Sequence, residues 1–234
     1  MYSTKQKGFT LIELSIVLVI IGLIVGGIVG GKSLVKSAKV NQFSSDFASY
    51  KSAMFLFRDQ YDFLPGDLPN ANEHWPDCAD FGVYVCNGNG NNILHQNYEA
   101  YRGFEHLSRA EMIKNKHAFN GDASNRYAYA YKPPINGGSA FGLPLNVGTV
   151  MYNKLIGNTI GIFTTQNYIA TADIKKIDSK LDDGFASKGH FIAYCSGCGT
   201  ATRTSCVDAT ISAPSANYVL ANNDTACYML YNID

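Results

Sequence analysis

Between Phe9 and Gly31 the chain carries 23 residues, of which only Glu13 can hold a charge. Coiled as a helix at about 1.5 Å per residue, this run is roughly 35 Å long, enough to cross the hydrocarbon core of a bilayer. A carboxylate four residues into such a run is costly to desolvate unless a partner meets it. An ordinary secretory signal peptide does not account for the run, which is too long and is not followed cleanly by a small-x-small cleavage site. An uncleaved anchor whose acid reaches out to the interface is the remaining alternative. Lys5 and Lys7 precede the run, and Lys32, Lys36 and Lys39 follow it. The bias of positive charge therefore leaves orientation open and even leans the wrong way.

The residues around that acid carry a resemblance. Gly8-Phe9-Thr10-Leu11-Ile12-Glu13-Leu14-Ser15-Ile16-Val17-Leu18-Val19-Ile20-Ile21-Gly22 closely resembles the class III signal of type IV pilins and type II secretion pseudopilins. The resemblance implies that a prepilin peptidase cuts between Gly8 and Phe9, removes Met1 to Gly8 as a leader, and methylates the new amino terminus at Phe9. It also implies that Glu13 pairs with the terminal amine of a neighbouring subunit during assembly. The physics agrees: cleavage creates a cation one helical turn from Glu13, and in a low-dielectric setting the two attract far more strongly than in water.

Gly22, Gly26 and Gly30 recur every four residues in the same run. Small residues at this spacing let helix backbones approach closely in lipid, and each also weakens the helix by roughly 1 kcal/mol relative to alanine. Many type IV pilins have a proline where this chain has Gly30, so any local unwinding during assembly would rely on glycine; tight packing without a conformational role is an equal reading.

Beyond Lys32 the pattern changes. Phe43, Phe47, Tyr50, Met54, Phe57 and Tyr61 are spaced by three or four residues and form one stripe on a continuing helix. The stripe is short and aromatic for a coiled-coil seam, so packing against the protein's own head is the expectation. Leu64-Pro65-Gly66-Asp67-Leu68-Pro69 ends the helix. A helix from Phe9 to about Asp62 would be near 80 Å long.

Downstream, Asn70 to Asn92 reads as a loop, with Asn87-Gly88-Asn89-Gly90-Asn91-Asn92 its strongest breaker. A short amphipathic helix is predicted over Glu99–Ile113, with Phe104, Leu107 and Ala110 on one face. Strands are predicted at Arg126–Tyr131, Val147–Tyr152 and Ile160–Thr165. Thr171 is placed to cap a helix carrying Ile174, Ile177 and Leu181 that stops at Asp182-Asp183-Gly184. Phe191–Tyr194 and Tyr228–Tyr231 close the sheet.

Three pieces resemble a subgroup of prepilin-type proteins related to pseudopilins: Leu64-Pro65-Gly66-Asp67-Leu68-Pro69-Asn70-Ala71, Phe104-Glu105-His106-Leu107-Ser108-Arg109-Ala110 and Ile177-Asp178-Ser179-Lys180-Leu181-Asp182-Asp183-Gly184. The fold implied is α+β and type IV pilin-like, a long N-terminal helical spine with a C-terminal head built on an antiparallel β-sheet. The chain then divides into a leader (1–8), a transmembrane and assembly half-helix (9–31), an amphipathic half-helix (32–62) and a periplasmic or extracellular head of about 170 residues (63–234).

Formal charge is zero over the whole chain; without Lys5 and Lys7 the 19 basic residues fall to 17 against 19 acidic, near −2. A basic nucleic-acid surface is not expected. Fifteen Tyr, 13 Phe and 22 Gly fit a β-rich, loop-rich head. Six cysteines, Cys78, Cys86, Cys195, Cys198, Cys206 and Cys227, all fall in the head. An even number beyond a membrane segment reads as disulfides formed in an oxidising periplasm. Fifteen pairings are open in principle; Cys78–Cys86 is the local choice, and the other four would staple the C-terminal third. Cys195 and Cys198 have C-x-x-C spacing, but the motif opens no helix, as redox chemistry would want, and Cys206 and Cys227 are too far apart for a second zinc pair.

Asp178, Asp182 and Asp183 precede a glycine, and because some pseudopilins bind calcium in their heads they are the candidate ligands for a calcium ion, the one cofactor kept open as an alternative to none. The spacing is not that of an EF-hand, and a helix end with a turn explains it without metal. His74, His95, His106, His117 and His190 are scattered, and no nucleophile motif or phosphate loop appears, so no cofactor and no enzymatic activity are expected. The expected function is that of a prepilin-type structural subunit. It would be anchored in the bacterial inner membrane, cleaved, N-methylated and packed with copies of itself or other pilin-like subunits into a pilus or pseudopilus. Two alternatives are a minor tip subunit whose loops bind substrate, surface or DNA, and an uncleaved membrane-anchored periplasmic protein.

Overall fold

The computed structural model describes residues 8, 10–78, 80, 85–94, 99–114, 139–142, 149–151, 154–156, 159–164, 170–194, 206–208, 215–220 and 228–233. The chain divides into two compact units, Met1–Lys39 and Val40–Asp234, and the boundary falls within the residues of α1 (Leu11–Tyr61). The architecture is α+β, with the long helix leading into antiparallel sheets.

In the first unit, α1 has no polar face over its apolar run. Every large apolar side chain from Leu11 to Val35 is exposed. A helix that is apolar all round requires lipid or other helices as its surroundings, and this one is long and apolar enough to cross a membrane.

In the second unit, α1 becomes one-sided. Phe43, Phe47, Tyr50, Met54 and Phe57 are buried, as the spacing of the aromatic stripe predicts, and Tyr61 packs at the edge of the same core. The Phe47 ring lies 5.0 Å from Phe191 and 5.3 Å from Tyr231, and Tyr50 meets Phe104 edge-on at 5.5 Å. Between them these contacts tie the helix to the sheet and to α3 (Glu99–Arg109). Such aromatic pairs add about 0.5–1.5 kcal/mol each beyond the area they bury.

α1 stops at Tyr61 because Asp62 turns into the left-handed region (φ 63°), ahead of the predicted proline stop. α2 (Ala71–His74) is a single turn within the stretch expected to be loop. α3 ends at Arg109, four residues before the predicted end, in a Schellman turn: Glu111 has φ 57°, and the Met112 N–H reaches back to the Leu107 carbonyl at 3.0 Å. Glutamate instead of glycine at that position hides the stop from a sequence reading.

β1 (Ser139–Gly142), β2 (Thr149–Met151), β3 (Lys154–Ile156), β4 (Thr159–Thr164), β5 (Phe191–Tyr194) and β6 (Tyr228–Asn232) follow, with α4 (Thr171–Leu181) between β4 and β5. Four strands form an antiparallel sheet in the order β1-β4-β6-β5, and β2 pairs with β3. The last strand in sequence is therefore interior, pairing Tyr231 with Ile160 on one side and Phe191 on the other. The short strands β1 and β3 carry too little alternation to be recognised beforehand. Thr171 is the first residue of α4 and Ala170 occupies the cap position, making no side-chain cap bond, which corrects the expected Thr171 cap. The predicted strand Arg126–Tyr131 lies outside the described residues.

Phe47→Ala should cost about 3–5 kcal/mol of head stability, whereas Phe55→Ala, on the exposed side of the same helix, should change it by less than about 1 kcal/mol. Urea unfolding of the full-length protein in detergent, followed by near-ultraviolet circular dichroism, checks both.

Candidate functional site

α1 begins with a reciprocal cap. Thr10 is the residue before the first helical turn, and its Oγ1 accepts the Glu13 N–H at 3.3 Å. In return Glu13 Oε2 accepts the Thr10 N–H at 2.7 Å and the Thr10 hydroxyl at 2.9 Å. This is a capping box, Thr-x-x-Glu, which satisfies two of the orphan donors that every helix start exposes. The pattern Thr10-Leu11-Ile12-Glu13 was present in the sequence, and the missed role of Thr10 could have been found from it. Both bonds to Glu13 end on Oε2; among the described residues Oε1 accepts none, so it keeps its lone pairs for a further donor. The acid near the start of the apolar run is thus half-satisfied within its own chain.

Gly8 lies outside the helix and is exposed; Phe9 falls outside the described residues. Gly22, Gly26 and Gly30 have nothing within 4 Å of where a Cβ would be. Close approach at these positions would be supplied by another helix.

In the head, Cys78 and Cys86 form a disulfide, as their proximity in sequence predicts. Cys206 is also disulfide-bonded, while Cys195, Cys198 and Cys227 lie outside the described residues. The disulfide belongs to a knot that joins the segments Leu64–Ala71 and Phe104–Ala110. His106 on α3 is fully buried. Its Nδ1 accepts the Gly66 N–H at 2.9 Å, which requires the proton on Nε2, and Nε2 donates to the Cys86 carbonyl at 3.0 Å. Burial, reinforced by the charges of Arg102 and Arg109 against one opposing carbonyl bond, pushes the imidazole down to about 3. Gly66 has φ +99°, and a Cβ there would sit 2.3 Å from the Glu99 carbonyl oxygen, so only glycine fits.

Beside it the buried Asp67 gathers the Asn/Gly loop, accepting the N–H groups of Gly90 at 2.8 Å and Asn92 at 2.6 Å. Its acidity is weakened by burial, partly offset by those main-chain bonds. On α3, Arg102 meets Glu105 at 2.6 Å, Glu105 meets Arg109 at 2.9 Å, and Arg109 reaches Asp77 at 2.7 Å. The donor atoms of Cys78, Cys86 and His106 lie within 4.8 Å of one another, a proximity that scattered sequence positions did not reveal. The two sulfurs are spent on each other, so the cluster acts as a structural clasp.

The third segment makes a second junction. The donor atoms of Asp178, Asp182 and Asp183 also lie within 4.8 Å of one another, the placement that raised calcium. Each carboxylate is already an acceptor. Asp178 takes the Gly184 N–H at 3.2 Å and the Tyr218 hydroxyl at 2.7 Å. Asp182 takes the Phe191 N–H at 2.8 Å and that of His190, and Asp183 takes the Phe185 N–H at 2.8 Å. These bonds fasten the end of α4 to β5 and account for the acids as turn-forming groups. Of the other histidines, His74 meets the Tyr61 ring at 5.2 Å and His190 stacks on Tyr231 at 5.5 Å; His95 and His117 lie outside the described residues.

Burial, with neighbouring Asp183 and Asp182 adding to it against the hydrogen bonds from Tyr218 and Gly184, pushes the Asp178 carboxyl up to about 6. The folded protein then holds that proton between about pH 4 and pH 6 while an unfolded chain releases it. The stability this supplies is present below pH 4 and is lost as pH rises through 6. Asp178→Asn removes the effect, so the melting temperature of the variant minus that of the wild type should be more positive at pH 7 than at pH 4. The opposite order would contradict the assignment. Calorimetric titration with calcium tests the metal reading separately: a stoichiometric heat establishes it, and none leaves the acids as caps.

Residues 3–29 match the family model described as the prokaryotic N-terminal methylation motif. Neither curated proteins nor solved structures give a match. The chain thus carries a prepilin-type N-terminal signal. A motif of this kind implies processing by a prepilin peptidase and assembly with other pilin-like subunits. Together with the single long apolar helix among the described residues it is consistent with anchoring in the inner membrane before assembly.

Proposed function

We propose that this prepilin-type precursor is cleaved between Gly8 and Phe9, methylated on Phe9, and packed through α1 into a pilus or pseudopilus as a structural subunit. The observation that carries the reading is Glu13, placed in the methylation motif and held by Thr10 at the very start of an exposed apolar helix. The cap draws the carboxylate back toward the N-terminal end, where cleavage generates an ammonium group. Thr10 keeps its amide N–H after cleavage, so the box persists in the mature chain and Glu13 Oε1 is open to the amine of a neighbouring subunit. In lipid, where the alternative is an isolated charge, that pairing is strongly favoured.

The exposed glycine ladder supports the same reading, because helices bearing small residues four apart pack closely in lipid. The head supports it by burying the aromatic face of α1 and leaving the apolar half to lipid or to partner helices. Removal of the leader requires a peptidase at the membrane, and movement out of the membrane requires a motor supplied by other proteins.

Glu13→Ala should leave membrane insertion intact and reduce incorporation into filaments by at least tenfold, measured as the ratio of sheared filament protein to membrane protein. Incorporation at the wild-type level would remove Glu13 from the assembly contact.

A further inference from the structure

α1 does not end where its apolar run ends. It continues as an exposed helix through Lys32, Lys36 and Lys39, spaced four and three residues apart and therefore on one side of the helix. No Asp or Glu occurs between Glu13 and Asp46, so this stretch of α1 carries three positive charges and no negative one of its own. From Leu11 to Gly31 the helix rises about 31 Å, matching the hydrocarbon thickness of a bilayer. Lys32 then stands at the edge of the hydrocarbon and Lys39 about 10 Å further out, a range that long lysine side chains cover with their ammonium groups.

We infer that Lys32, Lys36 and Lys39 form a collar that docks on anionic phospholipid headgroups at the membrane surface where the helix emerges. The inference rests on α1 being the membrane anchor of the proposed function. Two features on the helix select this occupant: the sign of the collar matches anionic headgroups, and the collar continues the apolar surface that lipid tails would cover. Each lysine near such a surface favours association by about fivefold. The contact opposes withdrawal of the subunit from the membrane, so filament assembly would draw each subunit away from a shell of anionic lipid as well as from the hydrocarbon.

The test uses the full-length protein in nanodiscs of equal phosphatidylglycerol and phosphatidylcholine, with the lipids that stay bound on ejection counted by native mass spectrometry. The wild type should retain phosphatidylglycerol over phosphatidylcholine by about fivefold or more. The triple variant Lys32→Gln, Lys36→Gln, Lys39→Gln should lower that ratio toward one, and the triple arginine variant should restore it. An excess that survives the glutamine substitutions, or no excess in the wild type, overturns the collar. Failure of the wild type to enter nanodiscs would instead overturn the anchor on which the inference depends.

Discussion

A single carboxylate in an apolar helix sets the terms for everything else at the N-terminus. Glu13 in hydrocarbon is costly unless bonded, and the structure supplies half of what it needs through the two Thr10 donors. A half-satisfied acid still has capacity for a cation. Under the proposed function the cation exists only after the leader has been removed, so electrostatics makes packing conditional on processing. The same argument explains why the rest of the run is bare of polar side chains able to compete: Ser15 donates its hydroxyl to the carbonyl of Ile12 within the helix.

The head has a different controlling element, the aromatic face of α1. Phe43, Phe47 and Phe57 are almost completely buried, and the sheet and α3 pack against that face. Two junctions make the arrangement specific. One is the clasp in which His106 joins Gly66 to Cys86, and the other is the acid-lined turn joining α4 to β5. In the first the buried imidazole meets main-chain groups on both sides, and in the second the buried Asp178 takes a main-chain N–H and the Tyr218 hydroxyl; such bonds give a loop-rich head a specific packing that apolar contact alone would not define.

How much of this could be read beforehand depends on whether a signal was local. The apolar run is continuous and the stripe from Phe43 to Tyr61 is periodic, so the helix and the face it buries in the head were legible. The Cys78–Cys86 bond was legible because the loop it closes is short. The early stop of α3 was not, because Glu111 adopts a conformation usually given to glycine. The convergence of His106, Gly66 and Cys86 was not, because it joins positions twenty to forty residues apart. Thr10 is the instructive case. Its capping pattern with Glu13 is local and legible, and the same residues also spell a processing signal.

The most direct test of the central claim, that pairing of Glu13 waits on cleavage, is the identity of the N-terminal peptide in two fractions of the same cells. Tandem mass spectrometry of the assembled filaments should find only peptides that begin at Phe9 with a methylated amine, while peptides beginning at Met1 should be confined to the membrane. Filaments containing subunits that still begin at Met1 would contradict the account.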